Sequence, residues 1–241
     1  MRLDHASWPE VEAYLQTSSG ILLPVGSTEQ HGPIGLIGTD AICAQAIAEG
    51  AADRVGALVA PTLSYTPAPF NTGFPGTVSV SEPVFEALFA EVVSGLCAQG
   101  FERIYVLNGH GANLAPMRRA AEGAEAIRIR SWWDFEPVNA LRQEAFGPWE
   151  GMHATPSEVA ITQALGRTIT HPGAETPPRA LSPEEMARRA GDRHGPPDLH
   201  RREFPDGRVG SHSALATPEL GRALLQHAVT CVAADYEAFA T

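Results

Sequence analysis

Glu29, His31 and Asp40 fall within residues 24–40, PVGSTEQHGPIGLIGTD, which leave the apolar run Ile21-Leu22-Leu23. Carboxylate oxygens with a neutral imidazole suit a divalent ion such as zinc, manganese or iron, and the alternate spacing of Glu29 and His31 points both the same way if the strand continues. Taken alone, the stretch reads first as a polar turn with a capping Asp, and the clusters that follow reverse that reading. A second cluster, residues 108–113 (NGHGAN), follows the β-branched and apolar run at 103–107. The glycines flanking His110 permit positive φ and close backbone approach to a ligand. A third cluster, residues 149–158, puts His153 just before a helix start, where a proton-transfer residue or a ligand would be delivered into a cleft. There Thr155, Pro156 and Glu158 fit a capping box with proline at the first helical position, which gives Glu158 a structural reason of its own.

The elements that must position these residues alternate. Strands are expected at 21–25, 57–61, 103–107 and 127–131, and helices at 40–54, 112–124, 157–165 and 218–239, with a Ser7-Glu10 capping box opening a first short helix. Ser81 caps another helix, whose Val84, Leu88, Val92 and Leu96 repeat every four residues and are expected to face a core. This order predicts an α/β fold: a single-domain three-layer α/β/α sandwich over residues 1–241 with a mostly parallel central sheet. In such sheets the crevice lies beyond the carboxyl ends of the strands, and the turns at 29–40 and 108–113 are both strand exits, so distant positions can share one site.

From about residue 166 to 216 the chain becomes rich in proline and arginine, and long regular elements are not expected apart from a helix at 182–190 opened by a Ser182-Glu185 capping box. The segment reads as a lid, a subunit-contact arm or a flexible excursion. His194, His200 and His212 within it read as solvated or interfacial.

Composition narrows the partners. A chain of 241 residues, 44% hydrophobic, can bury a sizeable core, and a net charge of −11 argues against nucleic acid and anionic membrane surfaces. Small molecules or other subunits remain. All 17 basic residues are arginine, which excludes a P-loop lysine, Schiff-base attachment of a cofactor and a lysine general base. Cys43, Cys97 and Cys231 form no C-x-x-C pair and read as buried reduced thiols, in keeping with a cytoplasmic location. The first seven residues lack an apolar signal core, and no stretch of 18 apolar residues is present to span a bilayer.

Five motifs in order, P-V-G-S-x-E-Q-H-G-P, T-D, F-P-G-T (residues 74–77), N-G-H-G-x-N and H-A-x-x-x-E, give the chain its resemblance to the creatininase family of metal-dependent amidohydrolases. The resemblance implies the same layered fold and a compact homo-oligomer, a hexamer among the options. It implies that Glu29, His31, Asp40 and His110 bind one or two divalent ions with Asp40 as the bridge, and that His153 transfers the proton. Creatinine hydrolases carry a further glutamate two residues after the N-G-H histidine. This chain has Ala112 there, and Glu158 is the candidate replacement. Ile34 and Asn71 stand where many members have histidine, whereas Trp149 matches an aromatic that covers the flat substrate ring. The implied reaction is hydrolysis of a non-peptide C–N bond (amide, cyclic amide or formamide) in a small molecule. The alternatives are peptide processing by the same machinery and a non-catalytic metal- or small-molecule-binding relative.

Overall fold

The computed structural model describes residues 1–190 and 193–240. Gly191, Asp192 and Thr241, which belong to the expected 166–216 segment and 1–241 span, lie outside the described residues. Strands β1 (Gly20–Val25), β2 (Leu58–Val59), β3 (Arg103–Asn108) and β4 (Ile127–Ser131) form one parallel sheet in the order β2-β1-β3-β4. Strand β1 is buried at every residue, as a central parallel strand must be when helices cover both faces.

The two-residue period of the strands divides the core. Ile21, Leu23, Val25, Ile104 and Val106 pack with Phe85 and Phe89 of α3 (Glu82–Ala98) and Met117 of α4 (Leu114–Ala120). Leu22, Tyr105 and Leu107 point the other way, onto α2 (Thr39–Val55), α6 (Pro156–Ala164) and α9 (Pro218–Ala240). The expected α/β/α layering follows. Helix α1 (Trp8–Leu15) opens on the expected capping box, and α5 (Glu136–Phe146) packs along α9.

Several expectations change. On α3 the fully buried stripe is Phe85, Phe89 and Val93, one residue out of step with the expected Val84-Leu88-Val92-Leu96 face; of that face Val92 and Leu96 pack half-buried against the core, while Val84 and Leu88 are exposed. This helix is apolar on more than one stripe, so spacing alone allows several registers, and the one that buries two phenylalanines removes more apolar surface from water. Phe89→Ala should therefore cost about 3–5 kcal/mol in urea denaturation and Leu88→Ala less than about 1 kcal/mol; the reverse ranking would restore the expected face. The helix expected at 112–124 is a 3-10 turn, Gly111–Asn113, followed by α4, which ends at Ala120. Cys97 is exposed, while Cys43 is buried as expected.

The proline-rich segment is more ordered than its composition suggests. It carries α7 (Pro183–Arg189), with the Ser182-Glu185 capping box, and the unexpected α8 (Pro197–Glu203), which packs on the 3-10 turn Pro69–Gly73. His194, His200 and His212 are buried, not solvated. The Phe70 ring lies 4.4 Å from His194 and 5.1 Å from His200, centroid to centroid, so the histidines serve as aromatic packing under the segment. No helix among the described residues is long and apolar enough to cross a membrane.

Candidate metal centre

Two glycines let three chain segments meet. A Cβ on Gly26, at the end of β1, would lie 2.3 Å from the Ala41 nitrogen, and one on Gly109, at the end of β3, 2.4 Å from the Asp40 carbonyl oxygen. Only hydrogen fits at either place, so both strand exits run against the first turn of α2. Asn113 donates to the Gly26 carbonyl at 2.9 Å and Asn108 to the His110 carbonyl at 2.8 Å, which ties the second turn to the first. Asp40 sits in the first turn of α2, where the helix dipole favours its negative charge. A further turn before α6 brings in His153, and the first turn of α6 brings in Glu158. Ala154 between them has φ +58°, the one positive φ outside glycine among the described residues.

Glu29, His31, Asp40, His110, His153 and Glu158 are all buried, and they converge. His31 Nε2 lies 2.9 Å from Asp40 Oδ1 and 3.6 Å from Glu158 Oε1. On the other side, His110 Nδ1 lies 3.1 Å from Glu29 Oε1 and 3.3 Å from Asp40 Oδ2. Asp40 thus offers one oxygen to each half. Bonds of about 2.0–2.2 Å at a tetrahedral angle put ligand atoms roughly 3.4 Å apart, and the spacings in both halves are of that size.

The hydrogen-bond network leaves the inward atoms as acceptors. His31 Nδ1 faces the Glu29 carbonyl at 3.1 Å and His110 Nε2 the Pro67 carbonyl at 2.8 Å; an N–H there leaves the opposite nitrogen of each ring with a lone pair toward the carboxylates. Glu29 Oε1, His31 Nε2 and Asp40 Oδ2 are buried without a hydrogen bond. Acceptors that face one another at this depth need a cation or protons between them. Glu158 caps α6 by accepting the Thr155 N–H on the same Oε1 that faces His31, so capping and proximity to the cluster coexist. A carboxylate oxygen has lone pairs for both.

Without a metal, protons fill that role. Burial opposes charge on His31, but Asp40 and Glu158 outweigh it and push its pKa up to about 10; His110 rises likewise against burial, through Glu29 and Asp40. Burial also opposes ionisation of Asp40, yet the two histidines hold it down at about 2, while Glu158 is pushed up to about 7 by burial and the Asp40 charge despite His31. His31 therefore stabilises metal-free protein fully below its ordinary pKa of about 6.5, and this contribution is lost as pH rises through about 10. Chelator-treated protein should melt progressively lower across that window. Adding Zn2+ or Mn2+ near neutral pH should release protons into a weakly buffered solution; uptake or no change would show that the histidines are not displaced by metal.

His153 occupies the rim of this cluster. Its Nε2 lies 2.7 Å from the Gln30 carbonyl and 3.0 and 3.1 Å from the amide nitrogens of Gln30 and Asn71; a proton assigned to Nε2, toward the carbonyl, leaves Nδ1 as the acceptor facing Glu29 Oε1 at 3.5 Å. Burial, aided by the His31 and His194 charges and opposed by Glu29, lowers its pKa to about 3, so the ring is neutral at neutral pH. Asn71, at the position where many family members have histidine, donates to Glu29 Oε2 at 2.7 Å and so directs Oε1 inward. Ile34, at the other such position, packs with Val159 and Ala174.

A cavity of about 410 Å3 opens over the cluster. Its aromatic wall is Trp132 and Trp133, directly after β4, with Met186 of α7 reaching in from the proline-rich segment. Trp149, the expected aromatic cover, is not among the cavity's lining residues; its ring packs on His212, 5.7 Å between centroids. The signal for Trp132 and Trp133 was available, because they follow a strand's carboxyl end as the 29–40 and 108–113 clusters do. Gln30 stood inside the first motif unremarked.

A family model described as creatininase, creatinine amidohydrolase, matches residues 4–235. The chain belongs to the creatininase family. Among curated relatives, creatinine amidohydrolase of Pseudomonas putida is 29% identical over 210 residues, covering 76% of this chain and 81% of the relative. The 3-dehydro-scyllo-inosose hydrolase of Thermotoga maritima is 29% identical over 234 residues (91% and 74%), and the mycofactocin precursor peptide peptidase of Mycolicibacterium smegmatis is 38% identical over 173 residues (67% and 68%). Solved creatininases superpose along the whole chain. A manganese form gives a TM-score of 0.73 at 26% identity (100% and 99% covered), and a Zn-Zn type variant 0.74 at 25% (100% and 98%). A variant complexed with creatine gives 0.69 at 26% (97% and 96%). The buried His, Glu and Asp clusters of this chain resemble the binuclear metal site of creatininase.

Proposed function

We propose that this creatininase-family protein is a metal-dependent hydrolase of a non-peptide C–N bond (amide, cyclic amide or formamide) in a small molecule. Glu29, His110 and Asp40 Oδ2 would hold one divalent ion, and His31, Glu158 and Asp40 Oδ1 a second, with zinc or manganese suited to this nitrogen and oxygen donor set. The observation that carries the reading is the placement of Asp40, whose two oxygens each face a histidine and a second carboxylate from opposite sides.

When bound, such an ion pair supplies a Lewis acid and makes water acidic enough to react near neutral pH. His153 supplies the proton path. Neutral and anchored through Nε2, it accepts a proton at Nδ1 from the attacking water and returns it to the departing nitrogen, which would otherwise leave as a poor amide anion. Trp133 and Met186, with the buried Trp132 behind them, shield the reacting centre from bulk water, and the half-buried Trp133 gives a flat substrate a face to lie on.

The second reading, cleavage of a peptide, is favoured by the 38% identity to the mycofactocin precursor peptide peptidase. Metal analysis combined with an amide panel separates the two. Release of ammonia, amine or formate from small amides supports the first reading, and release of a terminal amino acid or dipeptide from peptides the second. Retained metal with no turnover on either set would make the chain a binding protein.

A further inference from the structure

The cavity wall carries a cation that no step above uses. Arg142, on α5, lines the same cavity as the cluster, and its guanidinium is fixed in advance. Nε donates to Glu150 Oε1 at 2.9 Å, Nη1 donates to Asn139 Oδ1 at 2.6 Å, and Cζ sits 5.6 Å from the centroid of the Trp132 ring. Glu150 is buried and is held in turn by the Ser157 hydroxyl, so the clamp itself is braced. A guanidinium presents five N–H donors in a planar fork. These contacts use two, which leaves Nη2 and half of Nη1 with no acceptor among the described residues.

A salt bridge made only to fix α5 beside the turn at Glu150 would gain nothing from a cavity position or a half-used fork. The arrangement matches the bidentate recognition of a carboxylate, in which a fixed plane lowers the entropy lost on binding. The chain as a whole opposes such a ligand. It carries a net charge of −11 and no lysine, so beyond the ions themselves an anionic substrate in this cavity has Arg142 as its cationic partner.

We propose that Arg142 is a specificity-determining residue that binds a free carboxylate carried by the substrate away from the scissile bond. The substrates would then be carboxylate-bearing amides, of which N-acyl and N-formyl amino acids are the small-molecule form. The inference rests on the hydrolase reading of the site and names the substrate class for it. The C-terminus of a peptide presents the same chemistry.

The test is a pair of probes, N-acetylglycine and its methyl ester, titrated by calorimetry into metal-loaded protein. The acid should bind about 10–100-fold more tightly than the ester, the difference expected for hydrogen bonds to a charged group. Arg142→Gln should collapse that ratio toward one, and Arg142→Lys should restore part of it. If either compound is turned over, the acid-to-ester ratio should appear in KM more than in kcat. An acetylated tripeptide with a free C-terminus that outbinds N-acetylglycine would keep carboxylate recognition and assign it to a peptide end. Equal affinity of wild-type protein for acid and ester, a comparison that needs no variant, overturns the proposal, as does a folded Arg142→Gln protein with an unchanged ratio. Failure of the hydrolase reading shows separately, as a protein that retains no metal, or that retains metal and still prefers the acid to the ester but turns over no amide or peptide.

Discussion

Asp40→Ala is expected to strip the protein of most of its metal, measured as ions per subunit after desalting, and to lower turnover by about 10³-fold or more, since metal-ion stabilisation is worth several kcal/mol. The expectation follows from the position of the side chain. Asp40 Oδ1 faces His31 at 2.9 Å and Asp40 Oδ2 faces His110 at 3.3 Å, so one substitution disturbs both halves of the cluster. Glu158→Gln is the matched contrast. It touches the His31 half alone, and part of the metal should survive it. Asp40→Asn keeps the shape in α2 and separates loss of a ligand from loss of fold: a cooperative melt with little metal supports the bridge. Full metal content in a folded Asp40→Ala protein would place the ions elsewhere.

Such a substitution could be chosen from the sequence because the chemistry of this site is local to strand ends. The runs before the 29–40 and 108–113 clusters are β-branched and apolar, each cluster follows at the exit, and a parallel sheet gathers such exits at one edge. Glu29, His31, Asp40 and His110 come together for that reason, with Gly26 and Gly109 permitting the close approach. Glu158 was legible twice, as a cap and as a nearby carboxylate, and it occupies both places. What periodicity missed is what depends on tertiary competition. On α3 several apolar stripes were available, and only packing against the sheet selects Phe85 and Phe89. The histidines at 194, 200 and 212 looked solvated because their neighbours in sequence are polar and prolines. Apart from Phe204, four residues after His200, their neighbours in space are Phe70 and Trp149, which no local window contains. Trp149 was assigned to the substrate by analogy; its ring packs on His212, and the aromatic residues that line the cavity are Trp132 and Trp133. Arg142 carries no motif at all. Its place in the cavity depends on where α5 docks.

His153→Ala is expected to keep the metal and lose turnover, by about 10²–10⁴-fold, the usual contribution of a positioned acid or base. The geometry makes this a sharp choice, because His153 also falls within ligand range of Glu29 and His31. Two observations favour proton transfer. Its inward atom, Nδ1, lies 3.5 Å from Glu29 Oε1, farther than His110 Nδ1 at 3.1 Å, and each half of the cluster already has a histidine and two carboxylates without it. Its anchor, the Gln30 carbonyl, fixes which nitrogen faces the reaction while Asn71 and Gln30 hold the surroundings. Imidazole added to His153→Ala should recover part of the rate if the missing function is a proton carrier, since a small base can occupy the space that the ring leaves. Loss of metal in step with loss of rate, and no response to imidazole, would make His153 a ligand and return the proton path to water or Glu158.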